Sequence, residues 1–258
     1  MEVSEYIDYV ESEGKGFATA ADAGELSVEI PPCDGWTMRE LVRHLGMIHL
    51  WAAATVAFPH DDWLDVDELP DLVPFWPELA NGGEYPADRE LVGWYRDTLA
   101  NLIAVLRSAP ADHECFSFLP APTPLTMWAR RQASEIACHR FDAEVARGIA
   151  TTYDPQFAAD ILDELLSGFA PRLSKIEVDS TRTLHINATD VDEHWYLTIG
   201  PDGTTTTREG SGADLTATGS AAELYLLFWN RTADDTVELV GDTDLMDVWR
   251  ANNRVRWD

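Results

Sequence analysis

Lysine is nearly missing from this chain. Lys15 and Lys175 are the only two, and with the arginines they make 18 bases against 46 acids, a formal net charge of −28. Such a surface repels nucleic acid and anionic membranes, because binding either depends on basic side chains neutralising phosphates. Neither partner is expected; a neutral ligand or a cation is tolerated, and most of the acids read as solvated surface. Long apolar runs are also missing, with nothing near the roughly 18 consecutive apolar residues of a membrane span. The N-terminal MEVSEYIDYVESEG is acidic and lacks a basic flank followed by an apolar stretch, so it does not read as a secretory signal. A soluble, cytoplasmic protein is expected. Cysteine is sparse: Cys33, Cys115 and Cys138 are too scattered for a disulfide framework or a Cys-x-x-Cys metal site. They read as reduced, structural thiols that take no part in chemistry. No His-Glu-x-x-His run, nucleotide-binding glycine loop or nucleophile elbow is present.

What remains is ordinary globular material, 45% hydrophobic and 25% charged over 258 residues, enough for one large domain or two modest ones. Residues 3–22 read as a first helix. A Thr37-x-x-Glu40 capping box opens a second, in which Leu41, Leu45, Ile48 and Ala52 keep helical period to about residue 57. Residues 59–87, rich in Pro, Trp, Asp and Gly, form a long connection. A third helix fits 88–108, with Leu91, Tyr95, Leu102 and Leu106 on one stripe, and a fourth fits about 125–147. Four amphipathic segments argue for a helical bundle. The pattern then changes. A helix over 155–172 is followed by alternating runs (Leu184, Ile186, Ala188; then Trp195, Leu197, Ile199) and a Pro201-Asp202-Gly203 turn, the signature of a β-hairpin. A strand at 213–218, an apolar helix at 220–230, a strand at 237–240 and a helix at 243–254 complete an α+β half.

The chemistry-bearing residues cluster on two of the bundle helices. Glu135 and His139 are four apart and share a helix face. Trp128 and Val145 lie near the same stripe, so the polar pair is expected to point inward, where a carboxylate and an imidazole need partners and a metal ion supplies one. On the second helix His44 lies on the apolar face, between Leu41 and Ile48. His49 is turned roughly 140° away and does not suit the same ion. Two imidazoles and a carboxylate from facing helices make a site for zinc or a similar divalent cation, with a position left open for water or a substrate thiol. Trp36, Trp51 and Trp128 read as core. Arg131, one turn before Glu135, reads as its structural partner; Asp142, one turn after His139, either orients the imidazole or makes a plain salt bridge.

Around these residues the sequence resembles a known family. Pro32-Cys33-Asp34-Gly35-Trp36-Thr37, with Leu41-Val42-Arg43-His44-Leu45, resembles the start of the mycothiol-dependent maleylpyruvate isomerase family. Glu135-Ile136-Ala137-Cys138-His139-Arg140-Phe141-Asp142 is similar to its second signature. In the other half, Ala213-Asp214-Leu215-Thr216, Gly219-Ser220-Ala221, Leu227-Phe228-Trp229-Asn230-Arg231 and Val240-Gly241-Asp242 are similar to its C-terminal domain. Ser134 stands where many members have histidine and Phe141 where tryptophan is usual; neither departure removes a ligand.

The resemblance implies a DinB-like metal-binding four-helix bundle over 1–152 and a smaller α+β domain, related to sterol carrier proteins, over 153–258. It implies His44, Glu135 and His139 as metal ligands and mycothiol as the thiol cofactor. A metal-bound thiolate that adds to an activated double bond, allows rotation and leaves would be a cis–trans isomerase; release of the adduct would make the same site an S-transferase. The partners are then mycothiol and a small-molecule electrophile, and the chain is expected to work as a monomer. Arg231, at the end of a helix over 220–231, is expected at the domain interface, pairing with a substrate carboxylate or hydrogen-bonding the thiol cofactor. Two other readings stay open: a non-catalytic module for a small ligand, and a metal-dependent hydrolase of thiol conjugates.

Overall fold

The computed structural model describes residues 1–58, 85–172, 178 and 180–253. The chain divides into two compact units, Met1–Thr151 and Thr152–Asp258. The first is a bundle of α1 (Val3–Asp22), α2 (Met38–Ala57), α3 (Asp88–Ser108) and α4 (Pro124–Ala146). All four spans fall within a residue of those the hydrophobic period predicts. The connection expected over 59–87 lies, for 59–84, outside the described residues.

Local chemistry explains these boundaries. At α2 the Thr37 N–H donates to Glu40 Oε2 at 3.0 Å, so the capping box satisfies a backbone donor that the helix cannot. Thr123 caps α4, accepting from the Thr126 N–H at 3.1 Å, and Pro124 takes the first helical position, where a missing N–H costs nothing. Helices α1 and α2 each pack against both α3 and α4. Phe17 of α1, Leu41 and Leu45 of α2, Tyr95 and Leu102 of α3, and Trp128 and Ile136 of α4 are wholly buried in the core. Gly46 lets α2 and α3 approach closely: a Cβ there would lie 2.2 Å from the Trp94 ring. Arg147 closes the end of α1 from outside that helix, its guanidinium donating to the carbonyls of Ala20 (3.0 Å) and Ala21 (3.2 Å).

Helix α4 is the inner element. Arg131, Gln132, Ser134, Glu135, His139 and Asp142 are all buried along it. Val145, expected on the inward stripe, is exposed instead. At about 100° per residue it is turned some 80° from Glu135, off the inner face.

The second unit carries a five-stranded sheet in the order β3-β2-β1-β4-β5. The strands are β1 (Arg182–Ala188), β2 (Glu193–Gly200), β3 (Gly203–Thr207), β4 (Leu215–Gly219) and β5 (Glu238–Gly241). Strands β1 and β4 are parallel and the other pairs antiparallel. Alternation works as expected: Leu184, Ile186, Ala188, Trp195, Leu197 and Ile199 are buried, while Thr183, His185, Asn187 and Tyr196 on the other face are half-buried. Helices α5 (Pro155–Asp163), α6 (Ala221–Phe228) and α7 (Asp244–Asn252) complete the unit. A helical bundle and a mixed sheet with helices make the chain α+β.

The hairpin expected at the Pro201-Asp202-Gly203 turn is present: β3 pairs with β2 across it although Gly-Thr-Thr-Thr-Thr shows no apolar alternation, and Thr204 is buried opposite Ile199. One element differs from expectation. The single helix expected over 155–172 is α-helical only to Asp163. It widens to a π-helix over Glu164–Phe169 and tightens to a 3-10 turn at Ala170–Arg172. Pro171 has no N–H to close a regular last turn, and the Thr206 hydroxyl donates to the Leu166 carbonyl inside the widened segment.

Candidate metal centre

His44 and the Glu135–His139 pair are separated by some ninety residues, yet α2 and α4 bring them together. Nε2 of His44 lies 2.9 Å from Oε1 of Glu135, and Nε2 of His139 lies 3.3 Å from the same oxygen. One ligand atom from each of the three residues falls within 4.8 Å of the others. The two rings are edge-on, with centroids 5.1 Å apart. Two imidazole nitrogens and one carboxylate oxygen converging on one buried point suit a divalent cation of the zinc type. The three residues can therefore hold a metal ion together.

The groups behind the donors hold them in that arrangement. Arg131 pairs with Oε2 of Glu135, leaving Oε1 to face the two rings. Burial alone would raise the Glu135 carboxyl, but the Arg131 charge and the two histidines hold it well below the usual carboxylate range. Nδ1 of His139 is 2.8 Å from Oδ2 of the fully buried Asp142. Burial disfavours a charged His139, yet Asp142, Cys33 and Glu135 together raise its pKa well above the ordinary value. His44 moves the other way, lowered by burial against the opposing pull of Glu135.

Several neighbours were not read from the sequence in these positions. Cys33, a structural thiol by its spacing, has its Sγ 3.3 Å from Asp142 Oδ2, and Cys33, His139 and Asp142 form a second close group of potential ligands. Trp36 is half-buried rather than core, its ring 5.1 Å from that of His44. The Pro-Cys-Asp-Gly-Trp run was the available signal, but nothing local joins Cys33 to a residue 109 positions away. Cys138, adjacent to His139 in sequence, is buried. Trp51 and Trp128 are core as expected, packed edge to face at 4.8 Å.

His49 is turned away from the ligand set but is wholly buried all the same, because α2 is covered on more than one side. Its Nδ1 lies 3.3 Å from the Thr98 hydroxyl, and its Nε2 finds no partner among the described residues. Burial, with the neighbouring His44 adding to it, pushes the imidazole down to about 3. A lowered folded-state pKa contributes stability that is present above the unfolded value, about 6.5, and lost as pH falls toward about 3. Metal-free protein should therefore weaken in acid by up to about 1.4 kcal/mol per pH unit from this group. Denaturant unfolding of His49→Leu at pH 7.5, 5.5 and 4.5 should show a shallower loss than the parent; parallel profiles would contradict the assignment.

Arg231 is not at the end of a helix over 220–231. Helix α6 ends at Phe228, Asn230 takes a left-handed conformation (φ 59°), and the Arg231 N–H returns to the Leu226 carbonyl at 2.8 Å. This is a Schellman cap with Asn in the place glycine usually fills, so Arg231 belongs to the turn beyond the helix. One guanidinium N–H donates to the Trp229 carbonyl at 2.9 Å.

Among the described residues no helix is long and apolar enough to cross a membrane. Residues 10–144 match the mycothiol maleylpyruvate isomerase N-terminal domain, and residues 156–247 match the MDMPI C-terminal domain. A crystal structure of the mycothiol-dependent maleylpyruvate isomerase superposes with a TM-score of 0.59 at 14% identity, covering 93% of each chain. A histidine-to-alanine variant of that isomerase gives 0.61 at 13%, again over 93% of each. Identity that low speaks to the fold alone. No curated protein matches the sequence.

Proposed function

This chain belongs to the mycothiol maleylpyruvate isomerase family, and on that footing we propose that it is a metal-dependent enzyme using a low-molecular-weight thiol. The thiol is mycothiol, and the reaction is S-transfer to, or cis–trans isomerisation of, a small electrophile. The observation that carries this reading is the convergence of His44 Nε2, His139 Nε2 and Glu135 Oε1 on one buried point. A zinc-type ion held by those atoms would favour the thiolate form of a bound thiol. The protein's own part is to present the donors. Asp142 holds the proton on Nδ1 of His139, which leaves the Nε2 lone pair for the ion. Arg131 occupies the outer oxygen of Glu135, so the carboxylate cannot turn away. Near-complete burial of Glu135 and His139 limits water at the donors. Arg231 is the proposed cation for an anionic group of the substrate or for the thiol cofactor, and the working species is a monomer.

Protein purified without chelator should carry about one ion per chain. Incubated with mycothiol and a panel of electrophiles, it should yield thiol adducts by mass spectrometry or geometric isomers by chromatography. Metal-replete protein that leaves every electrophile unchanged would overturn the reading. Arg231→Ala should slow turnover with metal content unaltered, and wild-type kinetics in that variant would remove Arg231 from the site.

A further inference from the structure

Cys33 is where the structure departs furthest from the sequence reading. We propose that Cys33 is a positioning residue, whose thiol on the Ile30–Trp36 loop fixes the Asp142 carboxylate that orients His139 toward the metal ligands. This rests on the metal reading above and extends it to a residue outside the ligand set.

Three observations support it. First, the Cys33 thiol donates to Asp142 Oδ2 at 3.3 Å, and that same oxygen lies 2.8 Å from His139 Nδ1. Each donor added to a buried carboxylate restricts its rotation further, and here the thiol is added at the very oxygen that meets the imidazole, so it helps to hold the ring that this oxygen orients. Second, Asp142 is fully buried, so water does not compete for that oxygen. Third, the loop that carries Cys33 is tied to itself. The Cys33 N–H donates to the Ile30 carbonyl (2.9 Å), the Trp36 N–H to the Cys33 carbonyl (3.0 Å) and the Ile30 N–H to the Trp36 carbonyl (2.9 Å). Gly35, at φ 80°, supplies the left-handed residue that lets the loop turn back. The same loop sets the Trp36 ring against His44. One short, internally bonded segment thus touches the carboxylate that supports His139 and the ring of His44, which sit on different helices.

The test compares Cys33→Ala and Cys33→Ser with the parent, and with Cys115→Ala as a control away from the site. Cobalt(II) titration, read from the visible absorption of the bound ion, should show Cys33→Ala weakened about tenfold, the low end for loss of a group that supports a metal ligand. Cys33→Ser keeps a donor on a shorter bond and should recover part of the affinity. In the metal-free proteins, the hydrogen-bonded Nδ1 proton of His139 should appear far downfield in the NMR spectrum of the parent and be lost or shifted in Cys33→Ala. Parental cobalt affinity and an unmoved Nδ1 proton in Cys33→Ala would overturn the proposal. So would a sulfur-to-cobalt charge-transfer band in the parent that Cys33→Ser abolishes, because Cys33 would then be a ligand rather than a support. If the parent takes up no cobalt, the metal reading fails, and the Nδ1 proton alone decides whether Cys33 positions His139.

Discussion

Replacing Glu135 with alanine is expected to abolish metal uptake and to destabilise the bundle by about 3–5 kcal/mol. The first effect follows from removing the one oxygen that both histidines face, at 2.9 and 3.3 Å; two imidazoles alone make a poor zinc site. The second comes from the other end of the carboxylate. Arg131 is buried, with its side chain only 6% exposed, and pairs with Glu135. Without that carboxylate a buried charge loses its opposite charge, and breaking a buried pair costs far more than replacing both members. The two effects can be separated. Glu135→Leu combined with Arg131→Leu should regain most of the lost stability while remaining metal-free. Metal analysis and denaturant unfolding of the single and double variants measure both terms. Full metal occupancy in Glu135→Ala would sink the ligand assignment, and unchanged stability would show that Arg131 finds another partner.

Arg140→Met is expected to cost a similar amount, about 3–5 kcal/mol, without touching the metal ligands. Arg140 joins α4 to α1: its Nε lies 2.6 Å from Glu13 and its Nη1 3.1 Å from Glu144, with all three side chains about nine-tenths buried. Removing the guanidinium leaves two carboxylates facing each other in the bundle. For a domain whose total stability is of the order of 5–15 kcal/mol, the loss brings it close to unfolding. The sign of the pH dependence is distinctive. Burial raises the Glu13 carboxyl even against the opposing Arg140 charge. A raised folded-state pKa contributes stability that is present below the unfolded value and lost as pH rises through the folded one. The deficit of Arg140→Met should therefore shrink on acidification, and Glu13→Leu with Glu144→Leu in the same chain should restore stability at neutral pH. A deficit that ignores both acid and the added substitutions would mean that lost packing of the arginine stem, rather than charge, explains it.

Much of the fold was readable because it rests on local relations. The apolar residues of α1, α2 and α3 recur at three- and four-residue intervals, and the Thr37–Glu40 box marks the start of α2 within its own first turn. The Glu135–His139 pair is legible for the same reason: a four-residue interval puts two side chains on one face whatever the rest of the chain does. Where local signals conflict or vanish, the reading slips. The helix expected over 155–172 leaves α geometry at Glu164, and Pro171 falls in its closing 3-10 turn. Asn230, taking the left-handed conformation usually left to glycine, ends α6 before Arg231.

By itself, then, the sequence determined the α+β division, the four bundle helices, and the two helix faces that carry His44, Glu135 and His139. These follow from backbone periodicity and capping, which act within a turn or two. Only the tertiary structure decided that Cys33 reaches Asp142, that Arg140 spans two carboxylates on different helices, and that His49 is buried beside Thr98. Each of these joins residues from 49 to 127 positions apart in the chain, or includes such a contact. No local preference encodes such a meeting; it follows from how helix faces interdigitate when apolar surface is removed from water, and the polar groups carried inward must then find partners among whatever that packing brings to them.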